Sequence, residues 1–148
     1  MSSLRHVKNV IPASPEDAAV FDNLRDNLQL VPDLTGFVLL ADDGLALCGY
    51  GLDWTRDDVQ TIAAACSGLA SLADGLSMPV DGGSVLHLNI TMERSHLILT
   101  ACGNGSTLVV YTSGPESIGL AMRETVRVAR AFKHQLGVGD RDRRDRIR

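Results

Sequence analysis

Aromatic residues make up only 4% of the 148 positions, and lysine occurs only as Lys8 and Lys133. With so few rings there are few platforms on which bases could stack. Neither lysine follows a glycine-rich loop, so the ammonium that a nucleotide-hydrolysing loop places on the β- and γ-phosphates is missing. The sequence has no uninterrupted apolar run of the roughly 18 residues that mark a membrane span, because Asp42, Asp43, Asp53 and Glu93 break the hydrophobic stretches. The opening MSSLRHVKNVIP has no signal-peptide apolar core, which makes the cytoplasm the expected location. Cysteine is scarce too: Cys48, Cys66 and Cys102 are odd in number, far apart and embedded in apolar segments, the pattern of buried thiols and not of a disulfide framework. Net charge is −4, although the last nine residues, DRDRRDRIR, carry five Arg against three Asp, leaving the rest near −6. A body of that sign lacks the electrostatic footprint of a nucleic-acid binder.

Present instead is an ordinary globular composition, 45% hydrophobic and 22% charged, in a length suited to one domain. Ser14-Pro15-Glu16-Asp17 reads as a helix start, with Ala18, Phe21, Leu24, Leu28 and Val31 at helical spacing up to about Leu30. Residues 37–41 and 45–50 flank Asp42-Asp43-Gly44 as a hairpin, its first arm apolar on both faces. A second helix from Thr55 carries Val59, Ile62, Cys66, Leu69, Ala73 and Leu76 toward a sheet. Its neighbouring face is built of small residues, including Ala63, Ala64, Ser67, Gly68 and Ser71, which let another helix approach closely. From Val85 to Met92 apolar and polar residues alternate in one strand, followed by strands 96–102 and 107–112, a β-meander. Ser113-Gly114-Pro115-Glu116 opens a last helix with Ile118, Met122, Val126, Ala129, Phe132 and Leu136 inward, closed by Gly137 and Gly139. The expected organisation is a flexible arm over 1–13, a domain over 14–138 of order α-β-β-α-β-β-β-α, and a disordered Arg/Asp-rich tail over 139–148, solubilising or in weak contact with membrane lipid.

Catalytic and metal-binding patterns are absent. His6, His87, His96, His134 and the cysteines show no CxxC, HxxxH or HExxH spacing. If Glu93 faces His96 across the Arg94-Ser95 turn, His87 falls opposite Cys102, and two ligands do not complete a site. Ser67 lies in Cys-Ser-Gly-Leu within a helix, unlike a G-x-S-x-G elbow. No catalytic residue, cofactor or metal is expected.

AAACSGLASLADGL on the middle helix, MERSHLILTACGNGSTLVV across the last two strands and ADDGLALCGYGLD in the first hairpin together resemble the roadblock/dynein-light-chain family, and more narrowly its short actinobacterial members, from about Glu16 to Leu136. The resemblance implies a five-stranded antiparallel sheet with the middle helix on one face and two helices on the other. It also implies dimers, and adaptors without catalysis that bind small Ras-like GTPases of the gliding-motility type. A homodimer is also expected from the residues themselves, since an alternating strand at a sheet edge invites pairing with a second chain. Its interface would take Val85, His87, Asn89 and Thr91 with Ala63, Ala64, Ser67, Gly68 and Ser71. A GTPase would dock on the paired middle helices, rimmed by Arg56, Gln60 and Asp74. The alternative is a ligand-sensing or purely structural dimerisation module of the profilin, PAS or GAF kind, disfavoured by close helix packing that leaves little room for a cavity.

Overall fold

The computed structural model describes residues 15–103, 105–114 and 118–146, with side chains over 18–132. The N-terminal arm, Ser14 as a cap, Asn104 and the opening of the last helix at Pro115-Glu116 lie outside them. In chain order the elements are α1 (Pro15–Leu28), β1 (Leu34–Ala41), β2 (Ala46–Gly51), α2 (Arg56–Ser77), a 3-10 turn over Met78–Val80, β3 (His87–Thr91), β4 (Ser95–Ala101), β5 (Ser106–Ser113) and α3 (Ile118–Arg146). The order is the one the periodicities predict. The strands form one antiparallel sheet, β2-β1-β5-β4-β3.

Local chemistry explains the joints. Gly44 adopts φ +83°, and the turn closes through Gly44 N–H donating to the Ala41 carbonyl at 3.0 Å and Leu45 N–H donating to Asp43 Oδ1 at 3.0 Å. The positive φ needs glycine, and the aspartate carboxylate supplies a turn acceptor. Thr55 caps α2 in a complete capping box: the Asp58 amide donates to Thr55 Oγ1 at 3.1 Å while the Thr55 amide donates to Asp58 Oδ2 at 2.8 Å. Two otherwise unpaired N–H groups are thereby satisfied.

Alternation along β1 sends Phe37 and Leu39 to one face and Val38 and Leu40 to the other, and the core splits accordingly. Phe21, Leu24 and Leu28 of α1 and Ala121, Val128, Ala129 and Phe132 of α3 pack on Phe37, Leu39, Ile98, Leu108 and Val110. Val59, Ala63 and Cys66 of α2 pack on Val38, Leu40, Leu97, Leu99 and Val109. The sheet is therefore sandwiched, α2 on one side and α1 with α3 on the other.

Three expectations are corrected. The buried stripe of α2 is Val59, Ala63, Cys66 and Ala73, with Leu76 exposed, because the helix outruns the strands it covers. The buried face of α3 is turned toward Ala121, Thr125 and Val128, leaving Met122 and Val126 half-buried at its flank. Nor does α3 close at Gly137 and Gly139, since its backbone stays helical to Arg146. A glycine weakens a helix by about 1 kcal/mol without stopping it.

Candidate interaction surface

Strand β3 ends the sheet, paired only with β4, and its exposure alternates between exposed and half-buried. Its register sets Thr91 against His96, Asn89 against Ile98 and His87 against Thr100. The expected pairing of His87 with Cys102 is thus not formed: the turn takes Met92 to Ser95, with the Met92 amide donating to the Ser95 carbonyl at 2.8 Å, and this shifts the register by two residues. Thr91 Oγ1 and His96 Nδ1 share a hydrogen bond of 3.2 Å. Among the described residues no three His, Cys, Asp or Glu side chains gather in a way that could hold a metal.

The amides of the edge can be assigned. Ala101 N–H donates to the Leu86 carbonyl at 3.1 Å, and the bond from Met92 closes the other end of the ladder. In an antiparallel pair, bonded and non-bonded residues alternate, so Leu86, Leu88, Ile90 and Met92 turn their backbone groups toward β4. His87, Asn89 and Thr91 turn theirs outward. Val85 is half-buried and precedes the strand.

On α2 the expected seam divides. Ala63 is 0% exposed in its own core and takes no part in an outer surface. Ser67 is half-buried beside the Gly44 turn, whereas Ala64, Gly68 and Ser71 are exposed. A Cβ placed on Gly68 or on Gly75 would meet nothing within 4 Å. Arg56, Gln60 and Asp74 are also exposed. Sequence reasoning missed the apolar content of this outward face: Leu72 is 74% exposed, Leu76 76% and Met78 82%, with Val80 and Leu86 exposed beyond them. Arg56–Val80 is consequently, among the described residues, the one helix long and apolar enough to cross a membrane, at a mean hydropathy of 1.2. Uninterrupted runs do not reveal this, because small residues carry the hydropathy across Asp74. Four of its residues are nonetheless buried against the sheet.

Burial leaves the thiols poor nucleophiles. Desolvation raises Cys66 to about 11, and it raises Cys102 against the lowering hydrogen bonds from Ser106 and Leu108. All three cysteines are buried, and none is in a disulfide.

No curated protein matches the chain. Among solved structures, a Roadblock/LC7 domain from Streptomyces avermitilis is similar at 28% identity and a TM-score of 0.67, over 75% of this chain and 92% of that one. The gliding protein MglB of Thermus thermophilus shares the fold at 17% identity and a TM-score of 0.69, over 82% and 90%. MglB of Myxococcus xanthus does so at 14% and 0.74, over 84% and 92%. The Roadblock/LC7 domain model matches residues 20–112, from within α1 to the end of the meander, and the chain belongs to the Roadblock/LC7 domain family.

Proposed function

We propose that the chain is a non-enzymatic, dimeric adaptor that binds a small Ras-like GTPase and modulates its nucleotide state or location. The observation that carries the reading is the open edge of β3, whose outward backbone groups at His87, Asn89 and Thr91 form a row ready to pair with a second copy. Helix α2 covers β1 and β2, and on that same face Leu88 and Ile90 of β3 remain half-buried. The mate's α2 would complete this layer, seated against the small, open positions Ala64, Gly68 and Ser71. The two α2 helices would then present Leu72 and Leu76, with Arg56, Gln60 and Asp74 around them, to a third protein. The fold shared with gliding proteins supports a GTPase of that type as the third protein.

Such an adaptor needs no phosphate loop of its own. It shifts the nucleotide state of its partner only through a difference in affinity for the two states. Light scattering on the purified chain, followed by titration against a gliding-type GTPase loaded with GDP or a GTP analogue, tests both halves. A dimer that prefers the GTP-analogue form is expected. A monomer at tens of micromolar removes the dimer, and equal affinity for both forms removes the regulatory role.

A further inference from the structure

The sheet face that carries α1 and α3 is incompletely covered. Helix α1 packs over β2 and α3 over β4 and β5, and neither packs substantially on β3, so His87, Asn89 and Thr91 are exposed there. Between this bare strip and the flank of α3 runs an open groove of about 610 Å3, with His87 on the strand side. Its helical wall is Gly119, Met122, Arg123, Val126, Arg127 and Arg130. These positions are spaced by three and four, so they form one stripe of α3. Met122 and Val126 are half-buried and make the apolar floor, while the three arginines are exposed. Glu124 is the acidic group in the groove, and it is committed to Arg127 by an ion pair of 2.7 Å. Arg123 and Arg130 form no ion pair with a described residue. The wall is therefore net positive on a chain whose total is −4.

We propose that this groove is a docking site for an acidic amphipathic helix of a partner protein. The layering argues for a helix: α1 and α3 occupy two places on this face of the sheet, and the strip beside α3 over β3 is the adjoining third. The floor asks for one apolar anchor per turn, with an adaptable Met122 to receive it. Gly119 permits close approach, since a Cβ there would meet nothing within 4 Å. The charge argues for carboxylates at three- and four-residue spacing opposite the arginines, which recognise them with planar paired donors. Neither end of this chain fits. Residues 1–13 contain Arg5 and Lys8 and no acidic residue, and the last nine residues are net positive. Both segments carry the wrong charge for the arginines, and an acidic helix of a partner protein supplies the right one. It uses the face of β3 and leaves the edge amides free, so it is compatible with pairing at that edge and lies on the opposite side of the sheet from α2.

The test uses the full chain and two labelled peptides of ~18 residues, long enough to be helical: one with Glu at three- and four-residue spacing beside a leucine stripe, the other with every Glu replaced by Gln. Binding of the Glu peptide at low salt is expected, weakened roughly tenfold in 0.5 M salt and roughly tenfold by the Gln replacement. The double variant Arg123→Glu/Arg130→Glu should lose tenfold or more with unchanged melting temperature and oligomeric state. Arg123→Gln/Arg130→Gln replaces it if the reversal unfolds the chain. Amide shifts on adding peptide should fall on Gly119 to Arg130 and on His87. The proposal is overturned by equal binding of the Gln peptide, by a double variant that binds normally, by shifts confined to α2, or by arginine-dependent binding of inorganic phosphate or phosphatidylserine vesicles without binding of the peptide. The same double variant should retain GTPase binding, so failure here and failure of the adaptor reading are separate results.

Discussion

The Met92 amide donates to the Ser95 carbonyl at 2.8 Å, and this one bond sets which backbone groups of β3 face β4 and which face outward. Counting back from it by twos, Ile90 and Leu88 face β4, so Asn89 between them presents its N–H to the open edge. Asn89→Pro therefore removes an outward donor while leaving the β3–β4 ladder whole. Far-ultraviolet circular dichroism should be native, and the dimer dissociation constant should rise at least tenfold, about 1.4 kcal/mol. Undiminished dimerisation by light scattering would place the interface elsewhere.

The sole tryptophan rests on two glycines. Gly36 and Gly51 are register partners on β1 and β2, and a Cβ on either would run into the Trp54 ring, at 2.6 Å from Gly36 and closer still from Gly51. Trp54 in turn meets Tyr111 edge-on, with ring centroids 5.3 Å apart. Gly51→Ala is expected to cost about 1–3 kcal/mol by overpacking and to shift the tryptophan emission to the red as the ring is displaced into water. Unchanged emission would show that the glycines do not seat the ring.

Cys66 yields a pH dependence of definite sign. Its thiol is raised by burial from the ordinary 9.0 to about 11, so between these values the folded chain holds a proton that the unfolded chain has released. Stability from this group is whole below pH 9 and is lost as pH rises toward 11. The melting temperature should fall across that window, and Cys66→Ala should flatten the fall while lowering the starting value. Burial raises Tyr50 and Tyr111 as well, with Cys66 adding to the rise at Tyr111, so a residual slope is expected. An identical slope in the variant would assign the whole dependence to Cys102 and the tyrosines, which burial also raises.

The elements were legible because their signals are local: alternation from Leu86 to Met92 marks an edge strand, and Thr55 with Asp58 marks a helix start. Faces were less legible. Ala63 reads as a seam residue by size, yet it is buried because the sheet lies close beneath α2, a distance that no side-chain pattern records. Leu76 continues the inward stripe in sequence but lies beyond the strands that would cover it. The His87–Cys102 pairing failed because the two-residue turn sits one residue earlier, at Glu93-Arg94, which moves every partner by two, and hydrophobic alternation cannot detect a shift of two because it preserves the faces. The arginine groove was hidden for a similar reason: Met122 and Val126 keep helical spacing whether they face the core or its margin.

Gly68 offers the sharpest decision on what α2 is for. A glycine inside a helix costs about 1 kcal/mol relative to alanine, and within the chain this cost has no packing return, since a Cβ there would touch nothing within 4 Å. Gly49 shows the contrast, because its Cβ would lie 2.6 Å from Val59 Cγ1 and its smallness is needed inside the fold. If the space over Gly68 is filled by the mate, Gly68→Ala should stabilise the dissociated chain by about 1 kcal/mol, and Gly68→Leu should leave the monomer folded while driving the helices apart. The expected result for Gly68→Leu is a native spectrum, a monomer by light scattering and loss of GTPase binding together. Gly49→Leu, by comparison, should fail to fold stably. A Gly68→Leu chain that still dimerises and binds the GTPase would mean that this face looks into solvent. The two glycines of α2 would then need another explanation, and the adaptor surface would have to be sought away from that helix.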